Sequence, residues 1–109
     1  MANKISTEDL KKKIENGDNF YLIDTLSAES FAGKHIPKSL SIPYGDDFVQ
    51  RVEQQVGDKN AEITVYCASS SCSTSVAAAK DLEGAGFSNV THYAEGLAGW
   101  QIAGLEFGD

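Results

Sequence analysis

A chain of 109 residues, 41% hydrophobic and 23% charged, has room for one hydrophobic core, which predicts a single domain over residues 1–109. Its formal net charge of −7 argues against a nucleic-acid partner, whose phosphates demand clustered Lys and Arg. No apolar run approaches the ~20 residues of a membrane-spanning helix, so the expected setting is cytoplasmic, without membrane contact.

Ser6 or Thr7 caps a first helix, with Glu8 and Asp9 in its first turn, Leu10 and Ile14 on one buried face, and Gly17 as its stop. Lys11, Lys12 and Lys13 read as the solvated side of that helix. Phe20 to Asp24 predicts a buried strand, Ser27 to Ala32 a short helix stopped near Gly33, and Ser39 to Ile42 a short strand stopped by Pro43. Phe48, Val52 and Val56 recur at every fourth position, which predicts a helix from about Asp46 to Val56 closed by Gly57. The run Glu62 to Tyr66 predicts a strand ending at Cys67, and a small, polar stretch then leads into a helix from about Ser75 to Glu83, stopped by Gly84 and Gly86. Asn89 to Tyr93 predicts another strand. A last helical turn from Leu97 to Ala103 is expected to bury Trp100 and Ile102.

This alternation implies an α/β domain whose central sheet is mainly parallel, of about five strands, flanked by helices on both faces. Ligands of such sheets lie beyond the carboxyl ends of the strands, which places Asp24 and Cys67 on one rim. A thiol between a strand end and a helix start meets unpaired N–H groups and the positive end of a dipole, which stabilise a thiolate and make it nucleophilic. Ala68, Ser69, Ser70, Ser71, Ser73 and Thr74 are small enough for the backbone to curl with its N–H groups inward. Two cysteines within one loop are too few for a disulfide scaffold and point to reactivity.

Five segments then appear in order: Tyr21-Leu22-Ile23-Asp24; Phe31-Ala32-Gly33-Lys34-His35-Ile36-Pro37 with Ser41-Ile42-Pro43; Val65-Tyr66-Cys67; Gly86-Phe87 with Asn89-Val90; and Glu95-Gly96-Leu97 with Trp100 and Ala103-Gly104-Leu105. Together they resemble a single-domain rhodanese-like protein over nearly the whole chain. The chain departs from that pattern where Thr25 and Leu26 follow Asp24 without the family's arginine, where Lys34, Lys38 and Glu95 replace glycines, and where the loop after Cys67 is about two residues longer.

The resemblance implies a sulfurtransferase: Cys67 takes a sulfane sulfur from thiosulfate, polysulfide or a persulfide and passes it to a thiol or cyanide, without a cofactor. Residues 68–74 would cradle the negative charge, with Lys34 or Lys38 adding long-range attraction. Cys72 is a candidate second thiol that resolves the persulfide or protects it; packing alone, or the primary nucleophile's role, are its other readings. Asp24 is a candidate for orienting the loop, against a purely structural role on local N–H groups. Glu95, if it faces the site, would favour a neutral or protein-bound donor over thiosulfate.

A cysteine phosphatase would need an arginine in the loop, yet position 73 is serine and Arg51 is the only arginine of the chain. Zinc binding is not expected, because neither His35 nor His92 has a partner at ligand spacing. His35 reads as holding a turn, His92 as exposed or bonded to backbone, and Trp100 as core. The remaining rivals are a sulfide-sensing or partner-docking module without turnover, and a disulfide or arsenate reductase using both thiols. The oligomeric state is left open.

Overall fold

Ten elements follow one another along residues 3–17, 20–68 and 73–108, which the computed structural model describes: β1 (Asn3–Lys4), α1 (Thr7–Asn16), β2 (Tyr21–Asp24), α2 (Ala28–Gly33), β3 (Ser39–Ser41), α3 (Phe48–Val56), β4 (Ile63–Tyr66), α4 (Thr74–Gly84), β5 (Val90–Tyr93) and α5 (Gly96–Ile102). Local chemistry sets their ends. The Ser6 hydroxyl accepts the Asp9 N–H at 3.1 Å, a cap that contributes about 1 kcal/mol, and Gly17 closes α1 in the left-handed region at φ 71°. Ser27 caps α2 in the same way through Ser30 N–H.

All five described strands run parallel in the order β1-β5-β4-β2-β3, with Asp24 beside Tyr66 and Tyr66 beside Tyr93. Alternation along the strands splits the interior into two cores. Ile23, Ile63, Val65 and Val90 pack with Phe48 and Val52 of α3 and Ala78, Ala79 and Leu82 of α4, whereas Leu22, Tyr66 and Tyr93 pack with Leu10 of α1 and Leu97 and Trp100 of α5. The chain leaving β4 crosses to the α3/α4 face; the chain leaving β2, through Leu26 and Ile36, joins the α1/α5 face. Adjacent strands thus send their connections to opposite sides, and the crevice at their carboxyl ends is the usual place for a ligand in such a sheet.

The two-residue β1 is an addition to the expected strands. Three details correct the sequence reading. Ile102 is 87% exposed, because the buried stripe of α5 runs through Leu97 and Trp100 and the helical period turns Ile102 away from it. Lys13 is more than a solvated charge: it pairs with Glu62 and lies 4.6 Å over the Phe20 ring. Lys38, standing where a glycine was expected, takes a left-handed φ of 69° that costs a non-glycine residue about 1 kcal/mol, and its ammonium reaches the Ile14 carbonyl at the amino end of the sheet.

Candidate active site

Cys67 follows the last residue of β4, the middle strand, and is 1% exposed. Parity puts its side chain on the face of Ile63 and Val65, toward α4. There its sulfur lies 3.2 Å from the hydroxyl of Ser75, in the first turn of α4, and that hydroxyl lies 2.7 Å from Nε2 of His92 on β5. The row Cys67, Ser75 and His92 therefore draws on three separate elements and is almost wholly shielded, at 1%, 1% and 8% exposure. His92 is neither exposed nor bonded through its ring to backbone, as the sequence suggested; its ring satisfies Ser75. Burial, followed by the charge of Lys4 on β1, lowers its pKa.

The start of α5 holds the other side of Cys67. Leu97 N–H donates to the Cys67 carbonyl at 3.1 Å and Ala98 N–H to the Ala68 carbonyl at 2.8 Å, so the unpaired donors of a helix start serve the backbone of the loop. Gly96 makes this approach feasible. A Cβ at that position would stand 2.2 Å from the Cys67 carbonyl oxygen, and its φ is 59°.

Asp24 is fully buried at the end of β2. Its Oδ1 accepts Leu26 N–H at 2.8 Å and its Oδ2 lies 3.1 Å from the Tyr66 hydroxyl, which also lies 3.0 Å from Ser39 Oγ and accepts Ile36 N–H at 3.2 Å. Since the Ser39 hydroxyl donates to the Ile36 carbonyl, the single phenolic proton of Tyr66 can serve Asp24 or Ser39 but not both. Tyr66 donates to Asp24 Oδ2 when the carboxyl is ionised, and the protonated acid can donate to Tyr66 instead. Burial raises the Asp24 pKa, against the lowering pull of Leu26 N–H and Tyr66. The native state thus holds this proton above the unfolded value near 3.8, so its stabilising effect is full below that value and is lost as pH rises through the raised native pKa. Asp24→Asn keeps both hydrogen bonds without a charge. We expect its denaturant midpoint, followed from pH 4 to 7, to lack the decline that Asp24 gives the native protein.

Other expectations change as well. Glu95 accepts Thr7 N–H at 3.3 Å and Thr7 Oγ1 at 2.9 Å, which joins the end of β5 to the start of α1. Lys34 is held by Gln101 at 2.8 Å and by the Phe107 ring, and Lys38 by Ile14; neither contact belongs to the Cys67 loop. Leu26, where the resemblance leads one to expect arginine, packs into the α1/α5 core. His35 does hold a turn, with Nδ1 2.8 Å from the Phe31 carbonyl. Ser69, Ser70, Ser71 and Cys72 lie outside the described residues. Among the described residues no cluster of His, Cys, Asp and Glu could hold a metal ion.

Sequence reasoning missed Ser75 and His92. The signal for His92 was its alternation with Val90, which puts both on one face of β5; the nearness of Ser75 to Cys67 has no counterpart in linear spacing.

Solved structures share this fold. The rhodanese-like domain of the Alr3790 protein from Anabaena sp. matches at 27% identity with a TM-score of 0.86, over 99% of this chain and 80% of its own. The BH2092 protein of Bacillus halodurans matches at 25% and 0.88, over 98% and 77%. A thiosulfate sulfurtransferase of Pseudomonas aeruginosa shares the fold at 22% and 0.87, over 98% of this chain but 20% of its own. No curated protein matches the sequence. Residues 6–103 match the family model of the rhodanese-like domain, and the chain belongs to that family.

Proposed function

We propose that the protein is a cytoplasmic sulfurtransferase that carries a sulfane sulfur as a persulfide on Cys67, between a small-molecule or protein-bound donor and a thiol or cyanide acceptor. One observation carries this reading: in a rhodanese-like chain, a shielded cysteine sulfur sits at the carboxyl end of the middle strand against the first turn of α4, bonded to a hydroxyl rather than to apolar groups alone. The Cys67 thiolate attacks the outer sulfur of the donor. A new S–S bond forms at Cys67, the donor's S–S bond breaks, and its electron pair leaves on sulfite or on a thiolate. The acceptor then attacks the outer sulfur and returns the pair to Cys67.

Ala68, Ser69, Ser70, Ser71, Ser73 and Thr74 are proposed as the cradle for the charge on sulfur, through N–H groups and hydroxyls. Cys72 is proposed as a second thiol that attacks the inner sulfur of a Cys67 persulfide, forming a Cys67–Cys72 disulfide and releasing hydrogen sulfide. Neither step calls for a cofactor. Intact mass after incubation with polysulfide tests the reading: a gain of whole sulfur atoms, reversed by dithiothreitol, is expected, together with turnover of thiosulfate or polysulfide against cyanide. No gain rejects it. A gain without turnover selects the sensing module instead.

A further inference from the structure

His92 occupies a place on β5 whose neighbours in register are Val65 on β4 and Lys4 on β1, and an aliphatic side chain there would extend the core of Val65 and Val90. A buried imidazole and a buried hydroxyl in that core instead satisfy each other and end on the sulfur of Cys67. Burying polar groups is costly unless they are hydrogen-bonded; the 2.7 Å bond between Ser75 and His92 meets that condition, and the 3.2 Å contact of Ser75 with the sulfur extends the pair to the thiol.

We propose that Ser75 and His92 form a proton relay for Cys67, with Ser75 touching the reacting sulfur and His92 acting as a positioning residue through it. The relay rests on the sulfur-transfer reading and names the groups that prepare its thiolate. In the resting thiol, S–H donates to Ser75 Oγ and the Ser75 O–H donates to His92 Nε2, with the imidazole proton on Nδ1. Discharge moves the thiol proton to Oγ and the hydroxyl proton to Nε2, and the transient imidazolium releases its Nδ1 proton to solvent, which reaches 8% of the residue's surface. One proton has left, and the electron pair stays on sulfur. The thiolate now accepts from Ser75, which accepts from Nε2–H of a neutral imidazole, so the two states of the sulfur correspond to the two tautomers of His92.

The groups that face His92 favour passage over storage of the proton. The ring meets Ser75, and in register His92 lies between Lys4 of β1, whose charge disfavours a second cation there, and the uncharged Val65 of β4. The lowered pKa of the ring agrees with an imidazole that carries the extra proton only in transit.

The test uses the full chain with Cys72→Ser, so that iodoacetamide reports on Cys67 alone. Ser75→Ala and His92→Gln are each expected to slow alkylation at pH 7 by about tenfold or more, the effect of one hydrogen bond to a charged group, and to raise the pH midpoint of the reaction. The glutamine amide can still donate to Ser75 but cannot pass a proton. An unchanged midpoint in His92→Gln overturns the relay. A second measurement needs no substitution in the row: the imidazole nitrogen shifts of His92 should pass from the Nδ1–H to the Nε2–H tautomer as Cys67 ionises, and one tautomer throughout also overturns it. Polysulfide loading of the same samples separates the two claims. Loading with an unchanged midpoint removes the relay alone, while a shifted midpoint without loading leaves the relay and removes sulfur transfer.

Discussion

Cys67→Ser leaves a folded protein that gains no sulfur from polysulfide and turns over thiosulfate or polysulfide at least about a thousandfold more slowly than the native chain. The exchange is nearly isosteric, and a serine hydroxyl can keep the bond to Ser75, so stability should change by no more than about 1 kcal/mol. What disappears is the polarisable nucleophile and its capacity to form and break an S–S bond at neutral pH. Intact mass, turnover and denaturant unfolding on one preparation check all three parts. Sulfur retained by the variant would move the chemistry to Cys72 and overturn the assignment.

Gly96→Ala acts on the same thiol from the opposite side. The added methyl would stand 2.2 Å from the Cys67 carbonyl oxygen and 3.0 Å from the Ala68 carbonyl carbon, both backbone atoms, at a φ of 59°. Left-handed strain of about 1–2 kcal/mol and overpacking of about 1–3 kcal/mol together predict a loss of roughly 2–5 kcal/mol. The loop or α5 must move, and either movement breaks the bonds from Leu97 and Ala98 that fix Cys67 and Ala68. Turnover should therefore fall with stability, even though residue 96 offers no reactive group. Gly84→Ala at the end of α4 is the control: nothing lies within 4 Å of its added methyl, and its effect should stay within about 1 kcal/mol. Equal unfolding midpoints for the two variants would refute the argument.

The sequence made the elements legible where local rules act alone. Ser6 with Gly17, Ser27, and the Phe48/Val52 stripe each predict an element found within a residue or two of its place, and the apolar run before Cys67 puts the thiol at a strand end. What stayed hidden depends on contacts remote along the chain. β1 has two residues and exists through its pairing with β5; Glu95 caps a helix that begins 88 positions earlier. Asp24 was visible as a strand end, but its network with Tyr66 and Ser39 needs the register of three strands. Ser75 and His92 become neighbours of Cys67 only once α4 has settled on the Val65/Val90 face.

The sole tryptophan, Trp100, is 3% exposed on α5, with its indole N–H on the Glu106 carbonyl at 2.8 Å. Because that same helix clamps the backbone of Cys67 at its other end, the protein carries an internal optical gauge: the wavelength of its own ultraviolet emission is expected to report the seating of the helix, without any dye.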